Sequence, residues 1–193
     1  MSETFLIPAR RCRVFETISR SRFITTIGHA ADDAAAKQFI GKISSEFADA
    51  SHNCWAYQTG PPGDTISIGM SDDGEPHGTA GRPMLTVLIH AGVGEIVSVV
   101  TRYFGGIKLG KGGLVRAYTS GVKQALEQLP TTYKQEFEVI TGLFDYRHLR
   151  EIRRICRTFK ARIVDEVYAE RIRLEIELPA GTRQAFEKEV SRF

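Results

Sequence analysis

Residues 95–129 read EIVSVVTRYFGGIKLGKGGLVRAYTSGVKQALEQL. The β-branched run IVSVV predicts a strand over Glu95–Phe104. Gly105–Gly113 holds five glycines in nine residues and predicts a loop. From there Leu114, Tyr118, Val122 and Leu126 recur every fourth residue, which predicts a helix over Leu114–Leu129. The order is strand, glycine loop, helix. Glycines let backbone N–H groups approach a ligand, and a helix N-terminus adds unpaired donors and partial positive charge. Arg102, Lys108, Lys111 and Arg116 put four cations beside the loop. This is the physics of a phosphate site. It is neither a GxxxxGK[ST] nor a GxGxxG loop. Arg102, Gly105, Gly106, Lys108, Lys111, Gly112 and Arg116 are therefore the candidate phosphate- or nucleic-acid-binding residues. The plainer alternative is a tight connection with solvated cations, in which Tyr103 and Phe104 simply pack.

Upstream, Ser71–Pro83 reads SDDGEPHGTAGRP, dense in polar groups and nearly without apolar residues. Burial does not explain such a segment, and polar loops on a rigid frame are often functional. Asp72, Asp73 and Glu75, with His52 and His77, have the chemistry of a divalent-metal or acid–base site, but their spacing matches no known ligand motif. They serve equally well as turn residues, with Glu75 pairing Arg82 or Arg102. His52, Asp72, Asp73, Glu75 and Thr79 are read as a loop-shaping polar group, Thr79 as the N-cap of a helix over 79–91. No catalytic residue, metal or cofactor is assigned. Cys54 beside His52 suggests a thiol nucleophile, but a buried small hydrophobe is the commoner role.

The rest of the chain gives its frame. Residues 12–29 alternate as a two-stranded hairpin turning near Ser19–Ser21. Asp32–Phe47 has helical spacing. Asn53–Thr59 and Thr65–Met70 read as strands joined by the Pro-Pro-Gly-Asp turn at 61–64. Pro130 ends the Leu114–Leu129 helix and opens a linker. The expected domains are therefore 1–130 and 131–193. The second reads β-α-β-β-α over Glu136–Tyr146, His148–Ala161, Ile163–Tyr168, Arg171–Leu178 and Thr182–Phe193, one strand short of a ferredoxin-like unit. Its first helix carries Arg150, Arg154 and Arg157, a second candidate basic surface. From residue 131 on there are 13 basic and 11 acidic residues, so that surface is local.

With 193 residues, 42% hydrophobic and 25% charged, the chain is of ordinary globular composition. A formal net charge of +3 gives no global field for nucleic acid. Cys12, Cys54 and Cys156 are too scattered for a disulfide framework or a cysteine zinc site. The start of the chain lacks the apolar run of a signal peptide, and no apolar stretch approaches the ~20 residues that span a bilayer. The expectation is a cytoplasmic protein with no membrane partner.

The motifs together resemble the IMPACT/YigZ family. The resemblance rests on SRFI at 21–24, HNCWAY at 52–57, SDDGEPHGTAGRPML at 71–85 and VVTRYFGGIKLGKGGLVRAY at 99–118. It is specific over about residues 15–125 and weaker beyond, with departures at His77, at Arg82 and in the last strand. It implies an α+β protein. The first domain should be a two-layer α/β fold like the fourth domain of elongation factor G. The second should be ferredoxin-like, as in that factor's fifth domain. It also implies a setting, because eukaryotic members act in translational control. The leading expectation is a non-enzymatic RNA- or ribosome-associated protein. The rivals are an enzyme acting on a phosphate ester or nucleotide through Asp72, Asp73 and Glu75, and a protein–protein interaction module.

Overall fold

The computed structural model describes residues 4–193, which form two units, dividing after Lys134. In the first, β2 (Cys12–Ile18) and β3 (Ser21–His29) make the expected hairpin. Its turn residues Ser19 and Arg20 both have positive φ, 47° and 66°, as a two-residue turn between twisted strands requires. Helix α1 (Asp33–Glu46) follows, capped by Asp32, whose carboxylate accepts from the Ala35 N–H at 2.7 Å. Then come β4 (His52–Gln58), β5 (Ile68–Ser71), α2 (Gly81–Ile89), β6 (Ile96–Tyr103) and α3 (Gly110–Glu127).

The five strands form one antiparallel sheet in the order β2-β3-β6-β4-β5. Strand β6 is central. Its even positions Ile96 and Val100 join Cys54, Ala56, Phe23 and Ile27 in a core closed by α2 and α3. The two-layer expectation needs one addition: α1 lies on the opposite face, where Phe39 and Ile40 meet Val97, Trp55 and Tyr57. A central strand that is apolar on both faces demands cover on both.

The short β1 (Leu6–Pro8) pairs with β7 (Thr131–Tyr133). Residues expected to open the second domain thus belong to the first, held there by this pairing. The second unit runs β8 (Phe137–Phe144), a single 3-10 turn, α4 (Leu149–Thr158), β9 (Arg162–Tyr168), β10 (Ile172–Pro179) and α5 (Arg183–Val190). Its antiparallel sheet has the order β8-β10-β9. On β10, Ile172, Leu174, Ile176 and Leu178 point into a core with Ile152, Cys156 and Phe186. Arg173, Glu175 and Glu177 alternate with them on the other face, the period-2 pattern of a half-covered sheet.

Candidate functional site

The site is built where β6 ends. Strand alternation turns Arg102 to the same face as Ile96 and Val100, beneath α3 rather than out to solvent. Only 5% of Arg102 is exposed. Its Nη1 donates to Glu75 Oε1 at 2.6 Å and its Nη2 to Ser21 Oγ at 3.3 Å. Its guanidinium lies 5.4 Å from the Phe23 ring centre and 5.5 Å from that of Phe104. Of the two roles the sequence offers Arg102, phosphate contact and a pair with Glu75, the structure shows the pair: a buried cation needs a counter-ion, and Glu75 is it.

Glu75 Oε1 also accepts from the Tyr118 hydroxyl at 2.8 Å, and the Cys54 thiol lies against that hydroxyl and donates to the Asp72 carbonyl. Burial holds the Tyr118 hydroxyl far above its ordinary pKa. It pushes the Cys54 thiol up to about 12, a rise that the Tyr118 hydrogen bond opposes and the charges of Glu75, Asp73 and Asp72 reinforce. Such a thiol is no nucleophile at neutral pH. Ser21, Cys54 and Tyr118 belong to this network although the sequence reading left Ser21 and Tyr118 out. The trace that could have found them is the even-numbered face of β6, which points Arg102 at the Tyr118 stripe of α3.

The polar loop is organised by Asp72. Its Oδ2 accepts from the Gly78 N–H at 2.8 Å, and its Oδ1 from Ala80 and Gly81 at 3.0 and 2.9 Å. Asp72 thus satisfies the start of α2 from outside the helix. Thr79, read as the N-cap, instead donates to the Pro76 carbonyl at 2.6 Å, because the carboxylate already occupies the helix end. Asp73 Oδ2 accepts from the Asn53 N–H at 2.6 Å, and His52 Nδ1 meets the Asp73 carbonyl at 2.7 Å. The three acids are engaged by protein donors, and among the described residues no group of three or more His, Cys, Asp or Glu is placed to hold a metal ion.

The glycine run is shorter as a loop than the sequence suggested. Helix α3 begins at Gly110, so Gly110, Gly112 and Gly113 lie in its first turn and the loop is 105–109. Gly105 is fixed by contact: a Cβ there would lie 2.0 Å from the Arg20 carbonyl carbon. Gly106 has φ +84°. Among the described residues no side chain caps α3, and its first turn holds no acid, so its N–H groups stay open. Lys108, Lys111 and Arg116 are exposed around that end, and none forms a salt bridge among the described residues. A cavity of about 380 Å³ opens beside them, lined by Glu75, Pro76, Arg102, Phe104, Lys108, Leu109, Gly110, Lys111 and Leu114.

In the second unit Arg154 pairs with Glu151 at 2.8 Å. Arg150 and Arg157 are exposed and form no salt bridge among the described residues, which narrows the second basic surface to those two.

Residues 19–126 match the family model for the Impact N-terminal domain, and residues 143–193 match that for a domain of unknown function, DUF1949. The chain is 44% identical over 191 residues to the IMPACT family member YigZ of Escherichia coli (strain K12), covering 99% of this chain and 94% of that one. The chain belongs to the IMPACT family. A second IMPACT family member, YvyE of Bacillus subtilis (strain 168), is 37% identical over 169 residues, 88% of this chain and 77% of its own. A solved structure described as a hypothetical protein superposes with a TM-score of 0.78 at 43% identity, covering all of this chain and 94% of the other. The motif segments meet through hydrogen bonds: His52 contacts the polar loop at Asp73, and Arg102 and Tyr118 reach the same loop at Glu75. No helix among the described residues is long and apolar enough to cross a membrane.

Proposed function

We propose that this IMPACT family member is a non-enzymatic binding protein that engages RNA, free or in the ribosome, through phosphate contacts at the start of α3. One observation carries the reading. Three exposed cations, Lys108, Lys111 and Arg116, which form no salt bridge among the described residues, flank a helix N-terminus that has neither a capping side chain among those residues nor an acid in its first turn. Such a surface attracts phosphate through charge, dipole and backbone donors together. The buried Glu75–Arg102 pair is scaffold beneath it, anchoring the end of β6 to the polar loop. The engagement of Asp72, Asp73 and Glu75 by protein donors supports binding over hydrolysis of a phosphate ester. Eukaryotic members of the family act in translational control, which suggests the ribosome as the setting.

The test is binding of purified protein to structured RNA and to ribosomal subunits across a salt series. The variant is Lys108→Ala with Lys111→Ala, both at exposed positions. Affinity should fall steeply with salt, and the variant should weaken binding at every RNA tested while keeping its melting temperature. Binding that ignores both salt and the variant would overturn the reading.

A protein-docking role has one observation in its favour. On the face of the second unit's sheet away from its helices, β8 exposes Phe137, Val139 and Leu143 in a row.

A further inference from the structure

The cavity beside the start of α3 is more than a cationic surface. Its walls are apolar, formed by Pro76, Phe104, Leu109 and Leu114, with the exposed Lys108 and Lys111 also bordering it. Its buried lining joins Leu114 to the charged pair of Glu75 and Arg102. A site for inorganic phosphate needs no apolar walls. A site for an acyl chain would not place an ion pair at its base, since apolar contents leave buried polar groups unpaired.

Beneath that lining Arg102 Nε is buried, with no hydrogen-bond partner among the described residues. Both hydrogen bonds that Glu75 accepts fall on Oε1, which leaves Oε2 as a second acceptor. A ligand that lies flat against an aromatic ring and carries donors and acceptors on its edge suits this lining. Phe104 supplies the ring: it is 49% exposed, and Arg102 backs it at 5.5 Å. A volume of about 380 Å³ lies at the small end of ligand pockets and suits one ring system.

We propose that this cavity receives one unpaired nucleobase of single-stranded RNA, stacked on Phe104, while its phosphate rests on Lys108, Lys111 and the N-terminus of α3. The inference rests on the RNA-binding reading above and adds to it a demand for single strands. A base inside a duplex is stacked on both sides and cannot enter. Stacking on an aromatic side chain tolerates any base, so the selectivity is for strandedness rather than sequence.

The experiment measures fluorescence anisotropy with a labelled RNA of about 12 nucleotides, as a single strand and as a perfect duplex. The wild type should prefer the single strand by about tenfold. Phe104→Ala should abolish that preference yet keep salt-dependent binding to both forms. Phe104→Trp, which preserves a stacking face, should retain it. A melting curve of each variant shows that it is folded. Equal affinity of the wild type for both forms overturns the base pocket, as does a preference that survives Phe104→Ala. In either case a loss of binding in the Lys108→Ala, Lys111→Ala variant would leave the phosphate reading standing. Binding to neither RNA overturns both.

Discussion

Glu75 and Arg102 form a 2.6 Å ion pair with 3% and 6% of their side chains exposed. They are 27 residues apart, and their union ties the polar loop to the central strand. A desolvated pair of this kind is asymmetric: keeping both charges roughly balances, while keeping one strands it.

Glu75→Gln should therefore cost about 3–5 kcal/mol, since the buried guanidinium loses its counter-charge. Replacing both residues by apolar ones, Glu75→Leu with Arg102→Met, should recover most of that loss. Urea unfolding followed by Trp55, the single tryptophan, reads the first unit directly. If Glu75→Gln costs less than about 0.5 kcal/mol, water reaches the pair and its role as a scaffold fails.

Gly105 and Gly112 should respond to alanine with opposite signs. At Gly105 the new Cβ would meet the Arg20 carbonyl carbon and oxygen at 2.0 and 2.1 Å, backbone atoms that cannot step aside. A loss of about 1–3 kcal/mol is expected, with the loop displaced. At Gly112 the nearest atom is Arg116 Nη1 at 3.8 Å, an ordinary contact inside a helix. Gly112→Ala should stabilise by about 0.5–1 kcal/mol. Thermal melting of the two variants checks the pair, and equal effects would contradict the close approach at Gly105.

These two glycines also show what was legible in the sequence. The dense run 105–113 announced a strand-to-helix transition, and the β-branched and four-residue periods on either side fixed the elements. The run could not say which glycines serve a loop and which a helix, because Gly105 is required by Arg20, a residue 85 positions away in sequence whose approach depends on the hairpin. Arg102 is ambiguous in the sequence for a similar reason. A cation beside a glycine loop looks like a ligand group; strand alternation puts position 102 on the face of Ile96 and Val100, and the pairing of β6 with β3 and β4 shows that this face is the one covered by α3. The sequence offers the acids of the polar loop either as shaping residues or as a metal or acid–base group, and their individual partners, on β4, β6, α3, the loop itself and the start of α2, follow from tertiary contact. In the second unit the period-2 and helical patterns sufficed to place the elements, although β8 and β10, which pair, are separated in sequence by α4 and β9.

Cys54 should be inert in the folded protein. With its thiol pushed up to about 12, only about one in 10⁴ molecules carries a thiolate at pH 8. Brief iodoacetamide treatment followed by mass spectrometry should label the partly exposed Cys12 and spare Cys54 and the buried Cys156. All three should react once urea unfolds the chain. Modification of Cys54 at the rate of Cys12 in the native protein would mean that the network with Tyr118 opens to solvent.

Asp72 should give the first unit a measurable acid dependence. Burial alone would raise its pKa, but the N–H groups of Gly78, Gly81 and Ala80, with a smaller effect of His77, outweigh that and hold the carboxyl below its usual value. The unfolded chain, with an aspartate pKa of about 3.9, takes up the proton first as pH falls. Stability from Asp72 is then fully present above that value and is lost as pH drops through the lower folded-state value. Asp72→Asn keeps one acceptor oxygen but sets an amide N–H₂ against backbone donors, so it should cost about 1–2 kcal/mol near neutral pH. Below about pH 4 the gap between the two proteins should close, because the wild type loses the carboxylate that the variant already lacks. Parallel urea titrations of both proteins from neutral pH to about pH 3 measure that gap. A gap that stays constant to the acid end would show that the capping carboxylate is as easily protonated in the fold as in the unfolded chain.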